Sequence, residues 1–129
     1  MPITIRFEHQ PNFLHARLEG EYQIQEAIGV LGRVFAECAA GDARGLLLDV
    51  LALRGAPTIM DRYKISLVYA ENSHAIAMAH GGRRLRIATV GTPPMTDPTH
   101  FGEDVAINRG VNLRVFSELD AARAWLNAP

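Results

Sequence analysis

Apolar positions dominate one stretch, Gly45-Leu-Leu-Leu-Asp-Val-Leu-Ala-Leu-Arg-Gly55, where Asp49 breaks the run and glycine stands at either end. A segment of that length without alternation predicts a strand buried on both faces of a sheet. Upstream the period is two. Ile3, Ile5 and Phe7 alternate with Thr4, Arg6 and Glu8, Gln10-Pro11-Asn12 supplies turn chemistry, and Phe13 to Leu18 runs back with Leu14, Ala16 and Leu18 on one face. Gly20 closes this hairpin, which is expected at a sheet edge. From Gln23 the period lengthens: Ile24, Ala27, Ile28, Leu31, Phe35 and Cys38 form the apolar face of a helix that Gly41-Asp42 ends. Gly29 and Gly32 within it are read as points of close contact with the sheet.

Downstream of the central run, Thr58 and Asp61 have the spacing of a capping box, and Met60, Tyr63, Leu67 and Ala70 share a helix face. Asn72-Ser73 is a candidate break before a further turn or two to His80, and Gly81-Gly82 is a stop. Leu85, Ile87 and Val90 begin the next buried strand, which ends at Gly91. The prolines of Thr92-Pro-Pro-Met-Thr-Asp-Pro98 exclude regular structure. Phe101, Val105 and Asn108 line a short helix that Gly110 terminates, Leu113 to Phe116 is the last strand, and Leu119, Ala122 and Leu126 face inward on a closing helix beside Trp125. The predicted fold is α/β: a mixed, mostly parallel five-stranded sheet packed with about four helices, as one domain over residues 1–129.

Composition narrows the classes. With 129 residues the chain can bury a core without disulfides or metal. A net charge of −1, with acids and bases interspersed, gives a nucleic-acid partner no electrostatic support. The single Cys38 fits a reducing compartment, and as a buried small hydrophobe it is not read as a reactive thiol. Neither a leader nor an apolar run long enough to span a membrane is visible, so a cytoplasmic protein is expected.

Chemistry is sparse. Ser66, Ser73 and Ser117 lie outside any Gly-x-Ser-x-Gly elbow, and neither phosphate-cradling glycine pattern occurs. His100 and Glu103 sit one helical turn apart but lack further ligands, so no metal and no cofactor is expected. Asp49 is the most unusual charge, and a structural pairing outweighs a catalytic role. Arg54, Arg62 and Tyr63, joined by Arg109, could hold an anion at a helix start, against the simpler reading that the arginines pair with neighbouring acids.

Three local patterns carry a resemblance. They are Ala56-Pro57-Thr58 followed by Asp61-Arg62-Tyr63, then Phe101-Gly-Glu-Asp-Val-Ala-Ile-Asn-Arg-Gly110, and finally Val115-Phe116 with Ala121-Ala-Arg-Ala-Trp-Leu126. Together with the element order, the chain resembles the SpoIIAA-like fold, specifically the STAS/Sec14-like domain proteins of bacteria. The resemblance implies a non-catalytic binding or protein-interaction module of a regulatory kind, with a carrier or sensor of a small hydrophobic, lipid-like ligand as the alternative. Phosphorylatable STAS modules carry a serine preceded by aspartate at the start of the helix after the central strand. Here Gly55-Ala56-Pro57-Thr58 stands at that place, which offers Thr58 without the pair. Ligands of such sheets gather at the carboxyl ends of the parallel strands. The expected binding residues there are Arg54, Thr58, Arg62, Tyr63, Met95 and Phe101, facing a protein partner or a small hydrophobic ligand. A homodimer is a further expectation, since symmetric dimers are the commonest oligomers.

Overall fold

The computed structural model describes residues 2–129. The strands are β1 (Thr4–His9), β2 (Leu14–Glu21), β3 (Gly45–Arg54), β4 (Arg86–Val90) and β5 (Asn112–Phe116), and they lie in that order across one sheet. The helices are α1 (Ile24–Ala40), α2 (Ile59–Ala79), α3 (Phe101–Asn108) and α4 (Leu119–Asn127). Only β1 with β2 is antiparallel, a consequence of the short turn at Gln10–Phe13; each later strand follows a helix and is parallel to its neighbour. The mixed, mostly parallel sheet with four helices is therefore as expected, and β3 occupies its centre.

Alternation along β3 divides the interior. Leu46, Leu48 and Val50 join the larger core with Val34, Phe35 and Tyr69. Leu47 faces the other way, into a smaller core with Ala88, Val90, Ala122 and Leu126 of α4. Phe35 and Tyr69 meet edge-on at 5.8 Å between ring centres, which ties α1 to α2 over the sheet. Asp49 belongs to the second face and is 3% exposed.

Some local expectations change. Helix α2 runs unbroken through Asn72 and Ser73, because Asn72 donates back to the Val68 carbonyl and stays within the helix. Its buried positions are Ser66, Tyr69, Ala70, Ser73 and Ile76, whereas Met60 is 60% exposed and Tyr63 and Leu67 are half-buried. The inward stripe is thus rotated from the one read off the apolar residues. Gly29 and Gly32 lie on the outer side of α1, with nothing within 4 Å of where a Cβ would be, so they do not mark contact with the sheet. In α3 the buried residue is Ala106; Phe101 and Asn108 face outward.

Candidate functional site

The carboxyl ends of β3 and β4 release two loops side by side. Two glycines permit the close approach. Gly55 has a φ of 138° and a Cβ there would sit 2.8 Å from Cβ of Tyr22; at Gly91 it would meet Val50 at 2.7 Å and Thr96 at 2.9 Å. The first loop ends in a complete capping box: Thr58 Oγ1 accepts from the Asp61 N–H at 3.0 Å, and the Asp61 carboxylate accepts from the Thr58 N–H at 3.2 Å. Ile59 and Met60 follow directly and stand 72% and 60% exposed.

The second loop, residues 92–100, is strapped to α2. Arg62 donates from one terminal nitrogen to the Pro94 carbonyl at 2.8 Å and from the other to the Met95 carbonyl at 3.1 Å. Asp97 closes the loop into α3, accepting from the Thr99 hydroxyl at 2.7 Å, the Thr99 N–H at 2.9 Å and the Phe101 N–H at 3.1 Å. These hydrogen bonds, those of Thr99 foremost and helped by the Arg62 charge, hold the Asp97 carboxyl below its ordinary value despite some desolvation. Glu103 accepts from the Val115 N–H at 3.3 Å and meets His100 Nδ1 at 2.7 Å.

Beneath this loop, between the sheet, α2 and α3, lies a cavity of about 140 Å³. Leu18, Leu31, Leu48 and Val50 line its depth, and Arg62, Thr96, Asp97 and His100 lie towards its solvent side. Below that charged rim its polar walls carry hydroxyls. Ser66 Oγ lies 2.8 Å from both the Arg62 and the Gly102 carbonyls, Tyr69 Oη lies 3.1 Å from Thr89 Oγ1, and the buried Tyr22 hydroxyl has no partner at hydrogen-bond geometry. Burial raises the Tyr69 hydroxyl to about 12, and burial with the nearby Asp61 carboxylate raises that of Tyr22 further. A surface groove of about 470 Å³ adjoins the cavity, lined by Leu51, Arg54, Gly55, Ala56, Pro94 and Met95 among others.

The six expected residues separate into groups. Arg54 and Met95 line the groove, Met95 and Arg62 line the cavity, and Thr58 caps the helix beside them. Arg54 lies 3.7 Å from Glu21. Tyr63 turns aside to Arg109, whose guanidinium sits 5.8 Å from the ring centre and donates to the hydroxyl at 3.3 Å. Phe101 lines neither the cavity nor the groove. The arginines therefore do not converge on one anion. Asp49 meets His15 Nε2 at 3.1 Å and accepts from the Leu51 N–H at 3.1 Å, on the sheet face away from the cavity. The Cys38 thiol is buried, and desolvation with the neighbouring Glu37 charge pushes it up to about 12. Among the described residues, no three His, Cys, Asp or Glu side chains group as a metal site would require, and no helix is long and apolar enough to cross a membrane.

Sequence reading missed Tyr22, Ser66, Tyr69 and Thr89. Ser66, Tyr69, Ser73 and Ile76 do recur at three- and four-residue steps, but a stripe containing two serines and a tyrosine does not register as apolar. A hydroxyl that returns its proton to a helix carbonyl can nonetheless line a core, as Ser66 does.

A parallel sheet entered through an antiparallel hairpin and backed by helices on both faces is the SpoIIAA-like architecture, and this chain has that fold. The crystal structure of an anti-sigma factor antagonist from Mycobacterium paratuberculosis matches at a TM-score of 0.65 and 15% sequence identity, over 98% of this chain and 95% of that one. An uncharacterised protein with a SpoIIAA-like fold from Shewanella loihica matches at 0.51 and 18% identity, over 97% and 94%. No protein-family model and no curated protein matches the chain.

Proposed function

We propose that this chain is a non-catalytic, regulatory protein-interaction module that docks its partner at the carboxyl edge of the sheet. The observation that carries the reading is the exposure of Ile59 and Met60 on the capped first turn of α2, beside the groove that holds Arg54 and Met95. Apolar side chains held outward on a rigid helix start, with an arginine nearby, have the make-up of an interface centre. The architecture shared with an anti-sigma factor antagonist supports the same class of role. The partner surface is expected to be apolar with an acidic margin that faces Arg54.

The test is affinity capture from the host cell's lysate, followed by calorimetric titration of each captured protein. Arg54→Glu and Met60→Glu should weaken at least one of them about tenfold or more. Met78→Glu should not, because Met78 is exposed on the same helix about 27 Å further along. Equal affinity for all three variants, with their melts unchanged, would rule the edge out as the docking surface.

A further inference from the structure

We propose that the cavity under the 92–100 loop is a binding site for a compact, uncharged molecule of about one ring that bears a hydrogen-bond acceptor such as a carbonyl. The proposal is independent of the docking reading and uses different residues.

Hydrogen-bond accounting points to the acceptor. A hydroxyl carries one proton and two lone pairs. The buried Tyr22 hydroxyl meets no acceptor at full hydrogen-bond geometry, and the charged acceptor that lies close by is the Asp61 carboxylate. Tyr69 and Thr89 face each other, so one proton closes their contact and the other is left over. Ser66 already spends its single proton on the Arg62 and Gly102 carbonyls, so it adds no donor to this surplus. All four residues line the cavity, and buried donors of this kind are ordinarily satisfied by something. An acceptor-bearing guest would take the proton left over by the Tyr69–Thr89 pair and offer Tyr22 an uncharged partner.

Charge and volume select the rest. Both terminal nitrogens of Arg62 are committed to loop carbonyls, and the carboxylates of Asp97 and Glu103 to nearby donors. Asp61 lies close to the Tyr22 hydroxyl. Among the described residues that line the cavity, the two basic side chains, Arg62 and His100, already face Asp97 and Glu103, so a carboxylate or phosphate guest would compete with both acids. A volume of about 140 Å³ approaches that of an engineered apolar cavity of about 150 Å³ that admits benzene. A long acyl chain needs more room, so the lipid-like ligand expected from the resemblance gives way to a smaller and more polar one.

The experiment titrates the full chain with three probes, acetophenone, toluene and decanoate, following thermal melts and amide chemical shifts. Acetophenone should bind saturably and roughly tenfold more tightly than toluene, the worth of one net hydrogen bond. Decanoate should not bind. Tyr22→Phe, and separately Thr89→Val, should lower acetophenone affinity towards that of toluene and leave toluene unchanged. The use of two variants guards against either one failing to fold. Met60→Glu should leave all three titrations unaltered, which separates this site from the docking edge. Equal affinity for acetophenone and toluene, tighter binding of decanoate, or no shift with any probe because the cavity holds only water would each overturn the proposal.

Discussion

On one face of the sheet, α1, α2 and α3 lie over Leu46, Leu48 and Val50, in a layer built round Phe35 and Tyr69. On the other, the nine residues of α4 cover Leu47, Ala88 and Val90 but leave Arg6, Glu8 and Arg17 of the hairpin to water. Both faces contain polar groups, satisfied in different ways. The open face uses charge: Asp49 is buried at the margin of α4's cover and is matched by His15 and by the Leu51 N–H. The covered face uses hydroxyls, whose bonds close on backbone carbonyls or on each other and leave protons over at a cavity. A buried carboxylate is tolerable only with partners at hand, whereas a hydroxyl survives partial satisfaction, so the incomplete bonding collects where the ligand space is.

The sharpest way to break this comparison is to empty the covered face. Phe35→Ala removes a side chain that is 1% exposed and leaves Tyr69 without its edge contact. Urea unfolding should show a loss of about 3–5 kcal/mol. A loss below about 1 kcal/mol would mean that this layer is loosely packed and that the cavity is not a defined volume.

The next effect belongs to the open face. Asp49→Ala strands His15 and the Leu51 N–H and should cost about 1–3 kcal/mol at neutral pH. Burial alone would raise the Asp49 carboxyl; the hydrogen bonds from His15 and Leu51 and the charges of His15 and Arg17 outweigh it and hold the group below its ordinary 3.8. A depressed folded value means that the unfolded chain takes up the proton first as pH falls. The Asp49 contribution is therefore whole above about pH 4 and disappears as pH drops through the lower, folded value. The stability gap between wild type and Asp49→Asn, measured by denaturant titration at successive pH values, should narrow only below that point. A gap that stays constant down to about pH 2 would remove the Asp49 carboxylate as its origin.

The smallest effect runs the other way. Gly29→Ala and Gly32→Ala, on the outer side of α1, meet nothing within 4 Å and relieve the glycine penalty in a helix interior. Each should stabilise by roughly 0.5–1 kcal/mol, seen as a small rise in Tm. Destabilisation by either would show that α1 presses on the sheet through that side after all.

Local patterns were legible at the level of single residues. Alternation placed Ile3, Leu14, Ala16 and Leu18 inside, and three-residue spacing revealed the Thr58–Asp61 box, because each depends on neighbours within one turn or one pleat. The loops at the carboxyl edge were legible too, since they follow from strand direction. What each side chain does there was not. Arg62 is a strut to carbonyls more than thirty residues away, and Tyr63 rests on Arg109, forty-six positions along the chain. Nothing in a linear pattern brings Tyr22 beside Asp61, because that depends on where the start of α2 lies relative to the end of β2.

By itself, then, the amino-acid order determined which segments are strands and helices, the parallel run through a buried middle strand, and the edge at which the loops emerge. These follow from periodicity and backbone chemistry, which act over a few residues. Tertiary structure alone decided which stripe of α2 turns inward, that His15 would neutralise the cost of burying Asp49, and that three elements would close over a space they do not fill. Those outcomes depend on the positions of distant residues relative to one another, set only when the layers pack.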